Sequence, residues 1–373
     1  MIFFPKIDLI AVPNYWQGIR IEDLILFVFF FQYLVNSKKV FWQKDYQYKY
    51  VILFFTYYFF SNFIGYMSGI SIIPMAVARV AEYVILILFI NSISINGSTL
   101  KKISAYYLLI NLFVSIMQEF QLIGSFTSLG YLDPKNYMNS RAMGLSGGSW
   151  ELGILSALNF FIYLRFEKKK LYIFIFYLIT LTLLFLSEGR ANTVAFLVSS
   201  IFLIKNIIPK TKILHLVAFL ILLFIFIYVS IQLLNVSLFE RVFAVSYKEL
   251  FFILKNFILY NQIPILTKHT SSALPHMLSI IYRLQHWSNL YDLYNTSILT
   301  QLFGTGMAVL YVESTLIRIW FTTGIVGCFL ALALAGQMKL YQVVFFIITG
   351  FSLDIFVSFK IFLTALILNK KTK

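Results

Sequence analysis

The sequence predicts an all-α polytopic membrane protein of about 10–11 transmembrane helices, with one large extracytoplasmic loop that contains amphipathic helices. Three observations predict it. Apolar residue types make up 60% of the 373 residues and charged types only 12%, against about 25% charged residues in soluble domains. Mean hydropathy is +0.84, too apolar for polar surface to cover a soluble core. Runs long enough to span a bilayer recur along the chain, and Lys and Arg gather in alternate connections between them.

A spanning helix needs about 20 mostly apolar residues. The runs that qualify cover 21–36, 50–69, 71–92, 103–123, 147–164, 171–187, 191–209, 213–235 and 314–336. The stretch 340–369 is long enough for one tilted helix, or for two shorter ones broken near Gly350 and Asp354. No internal repeat of fixed period is visible, so residues 1–373 read as a single integral membrane domain. Pro5, Lys6 and Asp8 interrupt the first apolar stretch and no small-residue cleavage site follows, so the chain is expected to stay whole. The single cysteine, Cys328, excludes an intramolecular disulfide.

Basic residues set the sides. Lys38, Lys39, Lys44 and Lys49 follow the first span, and Lys101 and Lys102 the third. Arg165, Lys168, Lys169 and Lys170 follow the fifth, and Lys205, Lys210 and Lys212 the seventh. These connections alternate, so all can face the cytoplasm together, with Lys370, Lys371 and Lys373 if the last stretch is split. The net charge of +15 is therefore spread over connections. It forms no single soluble patch, and a nucleic-acid partner is not expected.

Two substantial loops are left outside, about 124–146 and 236–313. The second is rich in Phe, Leu, Ile and Tyr, and 240–260 and 276–294 read as amphipathic helices lying on the membrane surface or capping the bundle. Pro275 suits a helix start.

The outside segments carry few charges. Arg141, Arg190, Arg283 and Arg318 fall on one side of the membrane, and a guanidinium fork is the preferred partner of phosphate. Four arginines at one face point to a phosphorylated, lipid-linked substrate; the alternative is that each reaches for lipid headgroups. Glu313, at the mouth of a span, is a candidate base if shielding raises its pKa, or else a partner of Arg318 one turn on. His286 lies one turn after Arg283 and is a candidate base, or an interfacial residue beside Trp287. Arg79 and Glu82, three residues apart within the third span, form either a mutual ion pair or part of a substrate cavity. The four histidines lack metal-ligand spacing, so no metal and no cofactor are expected.

These segments resemble a family. RLQHWSNLYDLYNTSILTQLFGTG (283–306) has an arginine, a tryptophan four residues later and a closing Gly-x-Gly. VESTLIRIWFTTGIVG (312–327) follows, with a polar entry and a Gly-x-x-Gly. The pair looks like the end of the large outside loop and the next span in bacterial O-antigen polymerases of the Wzy type and the related O-antigen ligases. LSEGRANTVAFL resembles their Ser-x-Ser-Arg turn, RAMGLSGGSWELG their Arg-x-x-Gly loop, and RIEDLILFVFF the first span of such polymerases. Gly189 stands where that turn has its second serine, and Glu313 near where the ligases carry a histidine.

The resemblance implies a metal-independent glycosyltransferase in the bacterial inner membrane, multi-pass, with its active site facing the periplasm and 236–313 as the periplasmic loop. Donor and acceptor would both be undecaprenyl-diphosphate-linked oligosaccharides within membrane lipid. A chain-length regulator protein and a flippase would be its partners. Arg141, Arg190, Arg283 and Arg318 would bind the diphosphate, Glu313 and His286 would activate the acceptor hydroxyl, and Trp287 and Tyr291 would stack on sugar rings. Two other readings stay open: an O-antigen ligase, and a lipid-linked oligosaccharide transporter. A transporter usually shows repeated halves, which this sequence lacks.

Overall fold

The computed structural model describes residues 8–10, 19–36, 49–92, 95–127, 130–132, 141–207, 255–256, 278–308, 312–355 and 358–370. The expected span over 213–235, all but residues 255–256 of the expected amphipathic helix over 240–260, and the side chain of Arg79 lie outside the described residues.

Helices dominate. They are α1 (Ile21–Asn36), α2 (Lys49–Met67), α3 (Pro74–Ser92), α4 (Gly97–Glu119), α5 (Ser149–Phe166), α6 (Lys170–Leu186) and α7 (Arg190–Ile207). After the undescribed segment come α8 (Leu278–Tyr294), α9 (Ile298–Phe303), α10 (Thr315–Ala335), α11 (Leu340–Ser352) and α12 (Phe359–Asn369). Two short antiparallel strand pairs, β1 (Asp8–Ile10) with β2 (Ile19–Arg20) and β3 (Ser125–Thr127) with β4 (Gly130–Leu132), go beyond the all-α expectation. The 340–369 stretch carries two helices, the first ending at Ser352 and the second starting at Phe359.

Three of the described helices, α2, α4 and α10, are long and apolar enough to cross a membrane. Their polarity is inverted relative to a soluble bundle. On α4, Ser104, Asn111 and Ser115 are buried, while Leu109, Ile110 and Phe113 are exposed. On α2, Ser61 and Asn62 face inward, while Phe60 and Phe63 face out. Large apolar side chains on the outside and polar ones within suit a bilayer as solvent.

Two apolar clusters organise the interior. One joins α4, α5, α6, α7 and α11 around Leu155, Phe161 and Phe196; the other joins α1, α2, α3 and α10 around Phe54, Phe55 and Tyr83. Helix α12 serves both, giving Ile361 and Leu368 to the first and Phe362 and Leu366 to the second. It is only 11 residues long and lies between α3 and α5. Helix α5 is enclosed from Glu151 to Tyr163, as a helix at the centre of a bundle must be.

The opposite ends differ in chemistry. Where α4 and α6 begin and α5 and α12 finish, Arg165 Nη1 donates to Leu368 O (2.9 Å) and Lys370 O (2.6 Å), capping α12. Lys101 pairs with Glu167 at 3.3 Å, and Lys102, Lys168, Lys169 and Lys170 are exposed nearby. The Lys169 N–H holds the Glu167 carboxyl below its usual range, with the Lys168 N–H and Lys101 adding to it.

Helix α10 is broken at Gly324, where φ is 65° and ψ is −170°. A break of this kind frees carbonyls that need donors inside the protein. The loop after α9 supplies them: Thr305 N–H donates to Phe321 O and Gly306 N–H to Thr322 O, both at 3.0 Å. The Tyr57 hydroxyl donates to Thr323 O at 2.9 Å. Gly304, at φ 93°, lies so close that a methyl there would overlap the Thr322 carbonyl.

Gly304→Ala is therefore expected to destabilise the protein by more than the roughly 1–2 kcal/mol of a left-handed alanine alone. Gly336→Ala, at a helical φ of −61° with ordinary contacts, is expected to be neutral or stabilising by up to about 1 kcal/mol. Thermal unfolding in detergent, comparing both variants with the parent, checks this.

Candidate functional site

Helices α4, α6 and α11 end, and α5, α7, α10 and α12 begin, at one end of the bundle. Hydrogen bonds tie these termini together. Ala142 N–H donates to Leu186 O (3.0 Å), and Asn192 Nδ2 to Trp150 O (2.9 Å). The Ser358 hydroxyl donates to Glu151 Oε1, and Thr315 N–H to Leu353 O (3.0 Å). Arg141, Arg190, Arg283 and Arg318 all lie on segments of this end.

The first group stands where α6 turns into α7. Glu188 sits in the turn with a left-handed backbone, φ 48°, a conformation that costs a non-glycine residue free energy and clusters at functional sites. Arg141 Nε donates to Glu188 Oε2 at 3.2 Å, and the side-chain exposures are 41% for the arginine and 6% for the glutamate. Glu119, the last residue of α4, lies close enough to Glu188 to feel its charge. Arg190 opens α7, half-buried, its N–H donating to Glu188 O at 3.0 Å. A cation at a helix N-terminus opposes the dipole, and the Glu188 carboxylate offsets that.

The second group stands between α8 and the start of α10. Glu313 also has a left-handed backbone, φ 59°. Arg283 Nε donates to Glu313 Oε2 at 2.7 Å, with side-chain exposures of 29% and 23%. Trp287, one turn on, donates from Nε1 to Val312 O at 2.9 Å. Helix α8 thus grips the 312–313 segment with two side chains. The Trp287 ring lies edge-on to Phe351, and half-exposed Tyr291 lies edge-on to Phe321. His286 is exposed on the same helix.

Arg318 differs from the others. It is 1% exposed, and Asp354, in the break between α11 and α12, is equally buried. Arg318 Nη2 meets Asp354 Oδ2 at 2.6 Å and Nε meets it at 2.7 Å. Val312 N–H also reaches Asp354 Oδ2, at 3.4 Å.

These positions correct two expectations. Glu313 pairs with Arg283, not with Arg318, because the left-handed backbone at 313 turns its side chain toward α8 and the break after α11 brings Asp354 to Arg318. Arg318 is enclosed, so its guanidinium locks α10 to Asp354, just after α11, and is not open for a diphosphate. Glu82 is half-buried on α3; the Arg79–Glu82 pairing falls outside the described side chains. Glu119, Glu188 as the partner of Arg141, and Asp354 as the partner of Arg318 are additions to the residues singled out from the sequence. Among the described residues, no three His, Cys, Asp or Glu side chains gather in a way that could hold a metal ion.

No protein-family model matches the chain, and comparison with curated proteins gives no match.

The two kinds of pair separate by stability. Asp354→Ala takes the carboxylate away from a buried guanidinium and is expected to cost about 3–5 kcal/mol. Glu313→Gln opens a partly exposed pair and is expected to cost about 1 kcal/mol or less. Denaturant unfolding in detergent reads both; equal losses would mean that the Arg283–Glu313 pair is as structural as the buried one.

Proposed function

We propose that this chain is a metal-independent glycosyltransferase of the bacterial inner membrane, an O-antigen polymerase of the Wzy type or the polymerase of a related surface polysaccharide. The observation that carries the reading is the placing of two Arg–Glu pairs, Arg141–Glu188 and Arg283–Glu313, with Arg190, at one end of the helical bundle. The sequence motifs of the resemblance fall on these same segments. On this reading that end faces the periplasm, the Lys- and Arg-rich end faces the cytoplasm, and the chain crosses the membrane about ten times. Residues 236–313 are then the periplasmic loop.

The proposed chemistry follows from the residues. Arg141, Arg190 and Arg283 engage the diphosphate of an undecaprenyl-linked donor; Arg318 is left out because Asp354 encloses it. Glu188 and Glu313 hold two of these arginines in place until the diphosphate arrives, so little reorganisation is needed when charge develops. The acceptor hydroxyl oxygen bonds to the donor's anomeric carbon as the bond from that carbon to the diphosphate oxygen breaks. The diphosphate leaves with the electron pair, and the hydroxyl proton passes to Glu313 or His286. One displacement of this kind inverts the anomeric centre. Tyr291, half-exposed on α8, offers a ring for sugar stacking.

Arg190→Ala and Arg283→Ala are each expected to abolish chain extension in cells while the protein still inserts, leaving single repeat units on the lipid core. A polysaccharide gel beside a membrane-fraction blot reads both. Normal long-chain ladders would contradict the diphosphate role. Bare core would instead indicate a ligase, and repeat units trapped inside the cell a transporter.

A further inference from the structure

The loop that carries Arg141 is held in an unusual way. Residues 142–147 lie at the bundle end without regular structure, and all six of their amides donate to protein acceptors. Ala142 N–H goes to Leu186 O at 3.0 Å. Met143 and Gly144 N–H both go to Gln118 Oε1, at 2.9 and 2.8 Å. Leu145 N–H goes to Asn111 Oδ1 at 2.9 Å. Ser146 N–H closes a turn on Met143 O at 3.0 Å, and Gly147 N–H goes to Glu151 Oε2 at 2.6 Å. Two of the carbonyls are also met by side chains: Gln118 Nε2 donates to Gly144 O at 3.2 Å and Lys360 Nζ to Leu145 O at 3.3 Å.

The side chains doing this come from three helices. Asn111 and Gln118 are on α4, Glu151 on α5 and Lys360 on α12. Asn111 is 0% exposed, and Glu151 and Lys360 are each 1% exposed. Burying such groups is costly unless they find partners. Apolar residues would fill the same space more cheaply, so their presence is accounted for by the loop they hold. With every amide of 142–147 turned inward, the loop has no backbone donors to offer an anion. What it presents is the Arg141 side chain, 41% exposed and braced by Glu188.

We propose that Gln118 and Asn111, backed by Glu151 and Lys360, are positioning residues that fix Arg141 for the diphosphate of a lipid-linked substrate. This rests on the proposed function, which makes Arg141 a diphosphate ligand. The four residues touch the loop backbone and act on the ligand only through Arg141.

The test uses the full chain in lipid nanodiscs, with undecaprenyl diphosphate as the probe. Hydrogen exchange at 142–147 reads the loop, and the affinity for the probe reads the site. Gln118→Leu and Asn111→Ala are both expected to speed exchange in that segment and to weaken binding by about tenfold, comparable to Arg141→Ala. Each double variant with Arg141→Ala is expected to bind no more weakly than Arg141→Ala alone, because one residue acts through the other. General destabilisation would instead add to the Arg141 effect, and additive losses would overturn the proposal. So would Arg141→Ala weakening binding while Gln118→Leu and Asn111→Ala do not. If Arg141→Ala binds the probe as well as the parent does, the diphosphate role of Arg141 itself fails; the exchange rates then still show whether the loop is held as described.

Discussion

The backbone groups released wherever a helix of this bundle breaks must be met by protein, because lipid offers them nothing. Much of the architecture answers that constraint. At Gly324 the freed carbonyls of α10 are taken by the Gly304–Gly306 loop and by Tyr57. Between α11 and α12, Thr315 binds Leu353 O through its N–H and its hydroxyl, and its Oγ1 accepts from Ile355 N–H. Ser314 caps α10 while donating to Gly350 O. Before α5, four polar side chains hold the 142–147 loop. Each break is closed at least in part by residues from other elements, so the breaks are also joints that lock the bundle together.

Those joints concentrate at one end, and charge concentrates there with them. The carboxylates Glu188 and Glu313 both occupy left-handed backbone and both meet an arginine. Strain of this kind persists only where surrounding contacts over-determine it. Asp354 makes the third pair, but with Arg318 fully enclosed. The distinction is one of solvent access. A buried pair at 2.6 Å has no room for a competing anion, whereas a pair with a 41% exposed guanidinium can exchange its partner for one. That difference sets Arg141 and Arg283 apart from Arg318.

Much of the helical frame was legible from hydropathy. The runs 21–36, 50–69, 171–187 and 314–336 fall on α1, α2, α6 and α10 within a few residues. The break near Asp354 was legible as an alternative, because a glycine and a carboxylate interrupt an apolar run too long for one short helix. The left-handed backbone at Glu188 and Glu313 was not, since it falls on glutamates; even beside Gly189 the positive φ is carried by Glu188 itself. The partner of Arg318 was hidden because it comes from a segment 36 residues away; a partner one turn along the helix was the only one local spacing offered. The cradle under Arg141 could have been found. Ser104, Asn111, Ser115 and Gln118 fall along one stripe of a helix whose other residues are mostly apolar, and polar residues at such depth face the interior. Their target, the backbone of a loop, leaves no pattern in sequence.

On the proposed reading, the Arg–Glu end of this bundle joins lipid-linked sugars using only the diphosphate as leaving group. The most direct measurement is a reconstituted assay with purified protein and a defined undecaprenyl-diphosphate-linked repeat unit, without nucleotide sugar or added metal. The expected result is a ladder of products lengthened by whole repeat units, with undecaprenyl diphosphate released in step. Unchanged single units, under conditions where the substrate binds, would contradict it.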